Sequence, residues 1–420
     1  MVAKSALIVV LITLMATGTA SSQPRVIGND IPVSTWVLNS TPDSVRFCVG
    51  YSMPFSRLIF IKSDDTLTGF TSTLSFSVDA SDSLTGVNYH AFAGREINTG
   101  SFAESTSSTH RAEDFVVLTL PRSVFHINVE IRDDLQKITY VSATINRKFT
   151  SPDSLGIASV IFLDSMSNDR CYPVMRARVA PFPRRVRFVL VTAMNAQNRL
   201  TVSLLNKDRR LVAKSSLTGL MSERLEPVRM GNGFCFSTVC DTVHAILTGE
   251  TDTDTLDEGS YYLQMSGNGE TRTFPFHYLW TDKPFTLRNF ELALSLLRYI
   301  VPDSINSEIA SGSSADRKEK FDAYWKSRDS TPATAYNELE AEYYERADFA
   351  NNEFRTLRTV NGALTERGKA YILFGKPESI VRQFRNDGTY EIWKYPKLKK
   401  SLVFKERNFG EFELYQTEQL

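Results

Sequence analysis

Between about Trp36 and Leu163 apolar side chains recur at every second residue, and this rhythm constrains the fold more than any other feature of the chain. Val45, Phe47, Val49 and Tyr51 point to one side of an extended backbone, while Arg46, Cys48, Gly50 and Ser52 point to the other. Leu74, Phe76 and Val78 repeat the pattern, as do Ile127, Val129 and Ile131. A helix cannot gather such residues on one face, whereas a strand does, because successive Cβ atoms alternate across it. Turn-forming stretches at Ser63-Asp64-Asp65, Asp79 to Asp82 and Arg132-Asp133-Asp134 separate the segments. Short strands are stable only with their apolar side covered, so 24–165 is expected to form a β-sandwich.

A second series of short alternating segments occupies 166–281. Arg187 to Val191, Thr201 to Leu205, Phe234 to Val239, His244 to Leu247, Tyr261 to Met265 and Arg272 to Tyr278 are the expected strands. Gly267-Asn268-Gly269 joins the last two, and both residue types accept positive φ at little cost, so a hairpin is expected there.

At Asp282 the period changes. Phe290, Ala293, Leu294 and Leu297 share a helical face that Pro302 ends, and Ser311 to Ser314 offers a cap for a second helix carrying Phe321, Tyr324, Trp325 and Arg328. A third helix is expected from Pro332 or Ala335 to about Arg355. Beyond Gly362 the period returns to two, which predicts strands at Lys369 to Phe374, Ser379 to Phe384, Tyr390 to Tyr395, Ser401 to Lys405 and Glu411 to Tyr415. The expected fold is multidomain and mainly β: two antiparallel β-sandwich-like modules, then an α+β module at 282–420 with three helices and a β-meander.

The N-terminus sets the expected compartment. Lys4 precedes an uncharged run from Ala6 to Ala16, and Gly18 with Ala20 places small residues at a cleavage site. A run of about a dozen residues is shorter than the ~20 that span a bilayer, so 1–20 reads as a signal peptide removed near Ala20. The first cysteine is Cys48, too far along to take a lipid at the new N-terminus. The mature chain is expected in the periplasm or outside the cell, with no integral membrane segment.

Composition bounds the partners. With 48 basic and 48 acidic residues the chain has no net charge, which argues against a general nucleic-acid binder. Four cysteines are too few for a disulfide-built scaffold. Cys235 and Cys240 are a candidate disulfide if Ser237-Thr238 forms a turn, since residues five apart in an unbroken strand face opposite ways. Cys48 with Cys171 is also geometrically open. The histidines His90, His110, His126, His244 and His277 are scattered without metal-ligand spacing, and no phosphate-binding or dinucleotide loop is present, so no cofactor or metal is expected.

The stretch from 317 to 395 resembles the C-terminal module of the GWxTD domain family, bacterial exported proteins defined by sequence. Trp325, Arg328, Asp329, Thr331 and Pro332 carry the first part of the likeness, and Asn337, Glu338, Tyr343, Arg346, Asn351 and Phe354 the following helix. Arg367, Gly368, Tyr371, Ile372, Gly375 and Pro377 match the segment after the naming motif. At the motif itself, Gly362-Ala363-Leu364-Thr365-Glu366 has alanine in place of tryptophan and glutamate in place of aspartate. The resemblance implies a module and an envelope setting, and no particular activity.

Two chemistries are open to this module. Glu338, Glu342 and Glu345 fall on one helical face with Asp329 just ahead, so Asp329 and Glu338 are the candidates for acid and base work or for a divalent cation. Against this, Glu342 and Arg346 at i, i+4 form an ordinary surface pair. The basic cluster Lys394, Lys397, Lys399, Lys400, Lys405 and Arg407 reads either as a contact for an acidic surface or as lysines blunting a sheet edge. The sequence favours a non-enzymatic binding or assembly module whose partner is another envelope protein, over an envelope hydrolase or metal-dependent enzyme. Mass spectrometry of protein recovered from its native host should find the mature chain starting at Ser21 or within a few residues of it; an intact Met1 would refute the leader reading.

Overall fold

A computed structural model describes residues 31–62, 69–133, 136–150, 155–167, 170–176, 178–193, 200–267, 269–407 and 410–419. The expected leader and the turn residues Ser63, Asp64, Asp65, Asp134 and Asn268 lie outside these. The protein is mainly β and forms two compact units. One holds residues up to 152 with 175–177 and 224–239; the other holds 153–174, 178–223 and everything from 240 onward. The segment 166–281 is thus shared between the two units.

The first unit contains β1 (Val33–Ser40), β2 (Ser44–Pro54), β3 (Ile61–Lys62), β4 (Phe70–Asp82), β5 (Asn88–Thr99), a helical turn α1 (Phe102–Ser105), β6 (Arg111–Pro121), β7 (Val124–Asp133) and β8 (Ile138–Lys148). β1, β2 and β6 form one sheet, and β4 pairs with β3, β5 and β7, with β8 beyond β7. The two sheets share one core, in which the Tyr51 and Phe76 rings meet edge to face at 5.0 Å. Leu74, Phe76, Val78, Ile127, Val129 and Ile131 are buried at every second position, as the alternation predicts.

β2 departs from the pattern, for Cys48, Gly50 and Ser52 on its second face are buried as well. The covering element comes from 224–239. Phe234 and Phe236 pack their edges on Trp36 of β1 at 5.9 and 5.4 Å. A Cβ at Gly50 would press on both Trp36 and Phe234. Two ion pairs flank this contact, Arg46 with Glu226 at 2.5 Å and Arg229 with the buried Asp114 at 2.6 Å.

The second unit continues with β9 (Ile157–Ser167), β10 (Arg170–Pro173), β11 (Val179–Pro181), β12 (Val186–Ala193), β13 (Thr201–Leu205) and β14 (Leu211–Met221). The strands β15 (Glu223–Met230) and β16 (Gly233–Cys240) follow and supply the covering segment just described, before β17 (His244–Thr251), β18 (Gly259–Gly267) and β19 (Glu270–Leu279). β14 bends the sheet of this unit over on itself. Its first half pairs with β13 and its second half with β17. One layer is then β10-β9-β12-β17 and the other β13-β18-β19-β11, with Phe162 of the first and Phe276 of the second 4.7 Å apart in the core between them. β14 and β15 lack a sustained apolar alternation, for Leu211, Val212 and Ala213 are adjacent in the one and Pro227 interrupts the other.

The turn required for a Cys235 to Cys240 disulfide is absent. Both residues lie in the unbroken strand β16, Cys235 buried and Cys240 exposed, and no disulfide joins them. Cys48 is a buried free thiol, so it does not pair with Cys171, and burial pushes its pKa up.

The C-terminal region holds α2 (Phe285–Arg288), α3 (Phe290–Leu297), α4 (Asp303–Ile309), α5 (Ser314–Ser327), α6 (Glu338–Glu353) and α7 (Glu366–Phe374), then a meander of β20 (Ser379–Arg385), β21 (Gly388–Tyr395), β22 (Lys400–Glu406) and β23 (Phe412–Gln419). Helices before a meander agree with expectation, though they outnumber the expected three. Lys369 to Phe374 is helical, contrary to the predicted strand, because the Thr365 hydroxyl accepts from Gly368 N at 3.0 Å and starts a helix there. α6 starts three residues later than Ala335, where Asn337 accepts from Glu340 N. Ser313 and Asp316 cap α5 reciprocally. The basic cluster does not blunt an edge: β20 and β23 are the outer strands, and the lysines fall on β21, β22 and their connection.

The core of this region centres on Trp325, which is 2% exposed. The Tyr343 and Tyr344 rings lie 5.5 and 5.6 Å from it, with Phe321 and Tyr324 also in contact. Removing a ring so enclosed leaves a cavity, so Trp325→Ala should destabilise this region by about 3 to 5 kcal/mol. Denaturant unfolding followed by circular dichroism should show the lowered midpoint.

Candidate functional site

The family-like residues are distributed between two tasks, holding the helices together and lining a cleft. Asn337 does the first. Its side-chain oxygen caps α6, and its amide nitrogen donates to Trp325 O at 2.8 Å, so one residue joins the end of α5 to the start of α6. The Tyr343 and Tyr344 hydroxyls donate to Leu296 O and Ala293 O at 2.7 and 3.0 Å, which fastens α6 to α3. Burial pushes both phenols up, so they stay protonated donors.

Asp329 and Glu338 belong to the same framework. Asp329 accepts from Thr331 N at 2.8 Å, and the Thr331 hydroxyl donates to Glu338 at 2.6 Å, closing the turn that holds Pro332. Glu342 pairs with Arg346 on the helix surface, as the i, i+4 spacing suggests. Burial, with Asp282 next, pushes Glu345 up. The four carboxylates do not converge on one cleft, and among the described residues no group of three or more His, Cys, Asp and Glu side chains is arranged to hold a metal ion.

The region around the naming motif is likewise built for packing. Gly362 sits so close to α6 that a Cβ would overlap Ala350 O, and a Cβ on Gly368 would overlap Gly362 O. Ala363, in the place of the family's tryptophan, is fully buried, and its carbonyl accepts from the Tyr299 hydroxyl at 3.1 Å. Arg367 lies over the Phe412 ring at 4.2 Å and 3.5 Å from the buried Glu391, which also accepts from the Trp393 indole at 2.7 Å. Tyr371 stacks on Phe349 at 4.4 Å, half-buried on α7 rather than inside a strand. Asn351 accepts through its carbonyl from Arg355, and Pro377 is buried ahead of β20.

Some of these residues, with their neighbours, also line a cleft of about 250 Å³. Buried Trp325, Tyr343 and Ile372 form its base, and exposed Arg328 and Leu339 stand at its mouth beside Glu342 and Arg346. Arg346 is fixed, for its guanidinium packs against Gly375, whose φ of +74° and missing side chain leave it room. Arg328 is displayed, with its guanidinium 5.1 Å from the Tyr324 ring centroid. An apolar base under two arginines suits a ligand that is both acidic and apolar.

A second cleft, of about 300 Å³, lies where the helices meet the β-layers of the same unit. Tyr336 inserts its ring between Phe182 and Trp280, at 5.9 and 5.1 Å, and Ala335 N donates to Asp254 O at 2.8 Å. Lys283 pairs with Glu258 at 2.8 Å and Lys318 with Asp322. Glu340, in the first turn of α6, also lines this cleft; its burial, and next the Asp322 charge, push its carboxyl up to about 7. Sequence spacing does not single out Glu340, because it lies off the face shared by Glu338, Glu342 and Glu345, and the cleft it lines includes Phe182 and Trp280, remote in sequence.

Residues 259–416 match the model of the GWxTD domain, so the C-terminal region carries a domain of that family. The match begins at β18 and includes every residue that carries the resemblance. No curated protein matches the chain.

Two outcomes follow. Gly368→Ala should destabilise the domain by more than the usual gain of ~1 kcal/mol that alanine brings inside a helix, as thermal melting would report. Glu340 holds its proton more tightly folded than unfolded, so its contribution to stability is full below the unfolded value near 4.5 and is lost as pH rises to about 7. Glu340→Gln should therefore flatten the fall in unfolding midpoint between pH 5 and pH 8.

Proposed function

We propose that this GWxTD domain is a recognition module, working in an exported protein of the bacterial cell envelope and docking a protein partner there through the arginine-rimmed cleft. The observation that carries this reading is the sorting of the family-like residues. Trp325, Arg328, Tyr343 and Arg346 converge on one cleft, whereas Asp329 and Glu338, the residues an acid and base mechanism would use, lie outside it and each commit an oxygen to the turn at Thr331. A cleft with a rigid apolar base, one fixed arginine and one displayed arginine has the parts of a binding hot spot. The partner's matching segment would present an acidic side chain next to an apolar one.

The export reading rests on the charge, apolar run and small residues of the first 20 positions. It is compatible with the absence, among the described residues, of any helix long and apolar enough to cross a membrane.

Arg328 is the residue to test, because it is exposed and its contact with Tyr324 contributes little to the fold. Site-specific crosslinking from Leu339 in the native envelope should trap a partner with the wild-type chain. Arg328→Glu should reduce that yield at least tenfold without moving the unfolding midpoint. Asp329→Asn and Glu338→Gln should crosslink normally. A yield that follows these two carboxylates and ignores Arg328 would refute the reading and favour an enzyme built on them.

A further inference from the structure

The second cleft plays no part in the docking just described, and its chemistry has the opposite sign. We infer that it binds an alkylammonium group, the head of a lysine side chain or of a free primary amine, between the Glu340 carboxylate and the aromatic wall made by Trp280 and Tyr336.

The first support is the carboxyl. Glu340 lines the cleft, and among the described residues no hydrogen bond or ion pair reaches its side-chain oxygens, whereas Glu258 and Asp322 each hold a lysine. A half-buried carboxylate without a close counter-ion is costly, and an entering cation removes that cost. The second is the wall. Lys283 Nζ already stands 5.4 Å from the Trp280 ring centroid while bonded to Glu258, so the cleft accommodates one ammonium by the same combination of indole face and carboxylate. The third is the balance of charge. The lining acids Asp257, Glu258, Asp322 and Glu340 outnumber Lys283 and Lys318 by four to two, which favours a cation over an anion or a neutral guest.

Occupancy is tied to a proton. The charges that face Glu340 are Lys318 and Asp322 of α5, Asp329 beyond its end, and Lys283 from the segment before α2; Tyr336, Asp257 and Glu258 complete the titratable lining. Burial and Asp322 keep the carboxyl half-protonated near neutrality, so the cation must displace a proton to bind there. Binding should strengthen as pH rises through about 7, while the guest amine, with a pKa above 10, stays charged throughout.

Isothermal titration of the full chain with n-butylamine and with Nα-acetyl-lysine N-methylamide tests this. Both probes should bind about tenfold more tightly at pH 8 than at pH 6, the ratio of ionised Glu340 at the two values. Binding of the lysine derivative alone would support the inference and identify the guest as a peptide lysine; equal binding of both would support it with a free amine as guest. Glu340→Gln should keep the fold, checked by its melting profile at pH 5, lose the pH dependence and bind about tenfold more weakly at pH 8. Asp322→Asn, which removes the like charge, should still bind, with its pH midpoint moved lower. Absence of heat with both probes at pH 8, or a wild-type pH profile in Glu340→Gln, would overturn the inference.

Discussion

The burial of Trp325 against the tyrosines of α6 governs the C-terminal region. Aromatic pairs at 5 to 6 Å in edge-to-face or tilted orientation fix the angle between two helices more tightly than aliphatic packing, because only a few orientations suit the ring quadrupoles. With α5 and α6 held so, the remaining geometry follows from short polar links. Asn337 closes one end of the pair, and the two tyrosine hydroxyls reach α3. The residues that define the family resemblance are in this sense mostly architectural, and the cleft is what their architecture leaves open.

The sequence disclosed the architecture through periodicity and lost it where periodicity was ambiguous. The alternation of Leu74, Phe76 and Val78 survives as a half-buried strand, and Phe321 with Trp325 as a helix face, because one side of each element meets a core and the other does not. β2 broke the rule, since no local pattern announces that a segment near Phe234 will cover the second face of residues near Cys48. Lys369 to Phe374 was misjudged as a strand because six residues of mixed character fit either period, and the deciding signal was the cap at Thr365, one turn earlier. The candidate carboxylates show the same limit. Spacing located Glu338 and Glu342 correctly on a helix, yet whether an acid is spent on a turn, paired with an arginine or left in a cleft depends on neighbours such as Thr331, Arg346 and Asp322.

The pair α5 and α6 serves two clefts. Helical spacing puts Leu339, Glu342, Tyr343 and Arg346 on one side of α6 and Asn337 with Glu340 on another, while Trp325 and Arg328 at the C-terminal end of α5 line the first cleft and Lys318 and Asp322, earlier along that helix, line the second. Arg328 and Arg346 line one cleft, and a surplus of carboxylates lines the other. A chain with no net charge is thereby strongly polarised over a short distance, which the balanced totals of acid and base conceal.

The bend in β14 has a mechanical meaning. In most sandwiches the two layers meet only through side chains and can slide or part while each keeps its own hydrogen-bond ladder. Here one strand is a rung of both ladders, Leu211 to Ser215 in one layer and Ser216 to Met221 in the other. The layers cannot separate unless β14 is stripped from one of them, so a pull on either is transmitted to both through backbone amides. The fold behaves as a hinge whose pin is peptide, and the adjoining helices inherit a support that yields as a whole or not at all.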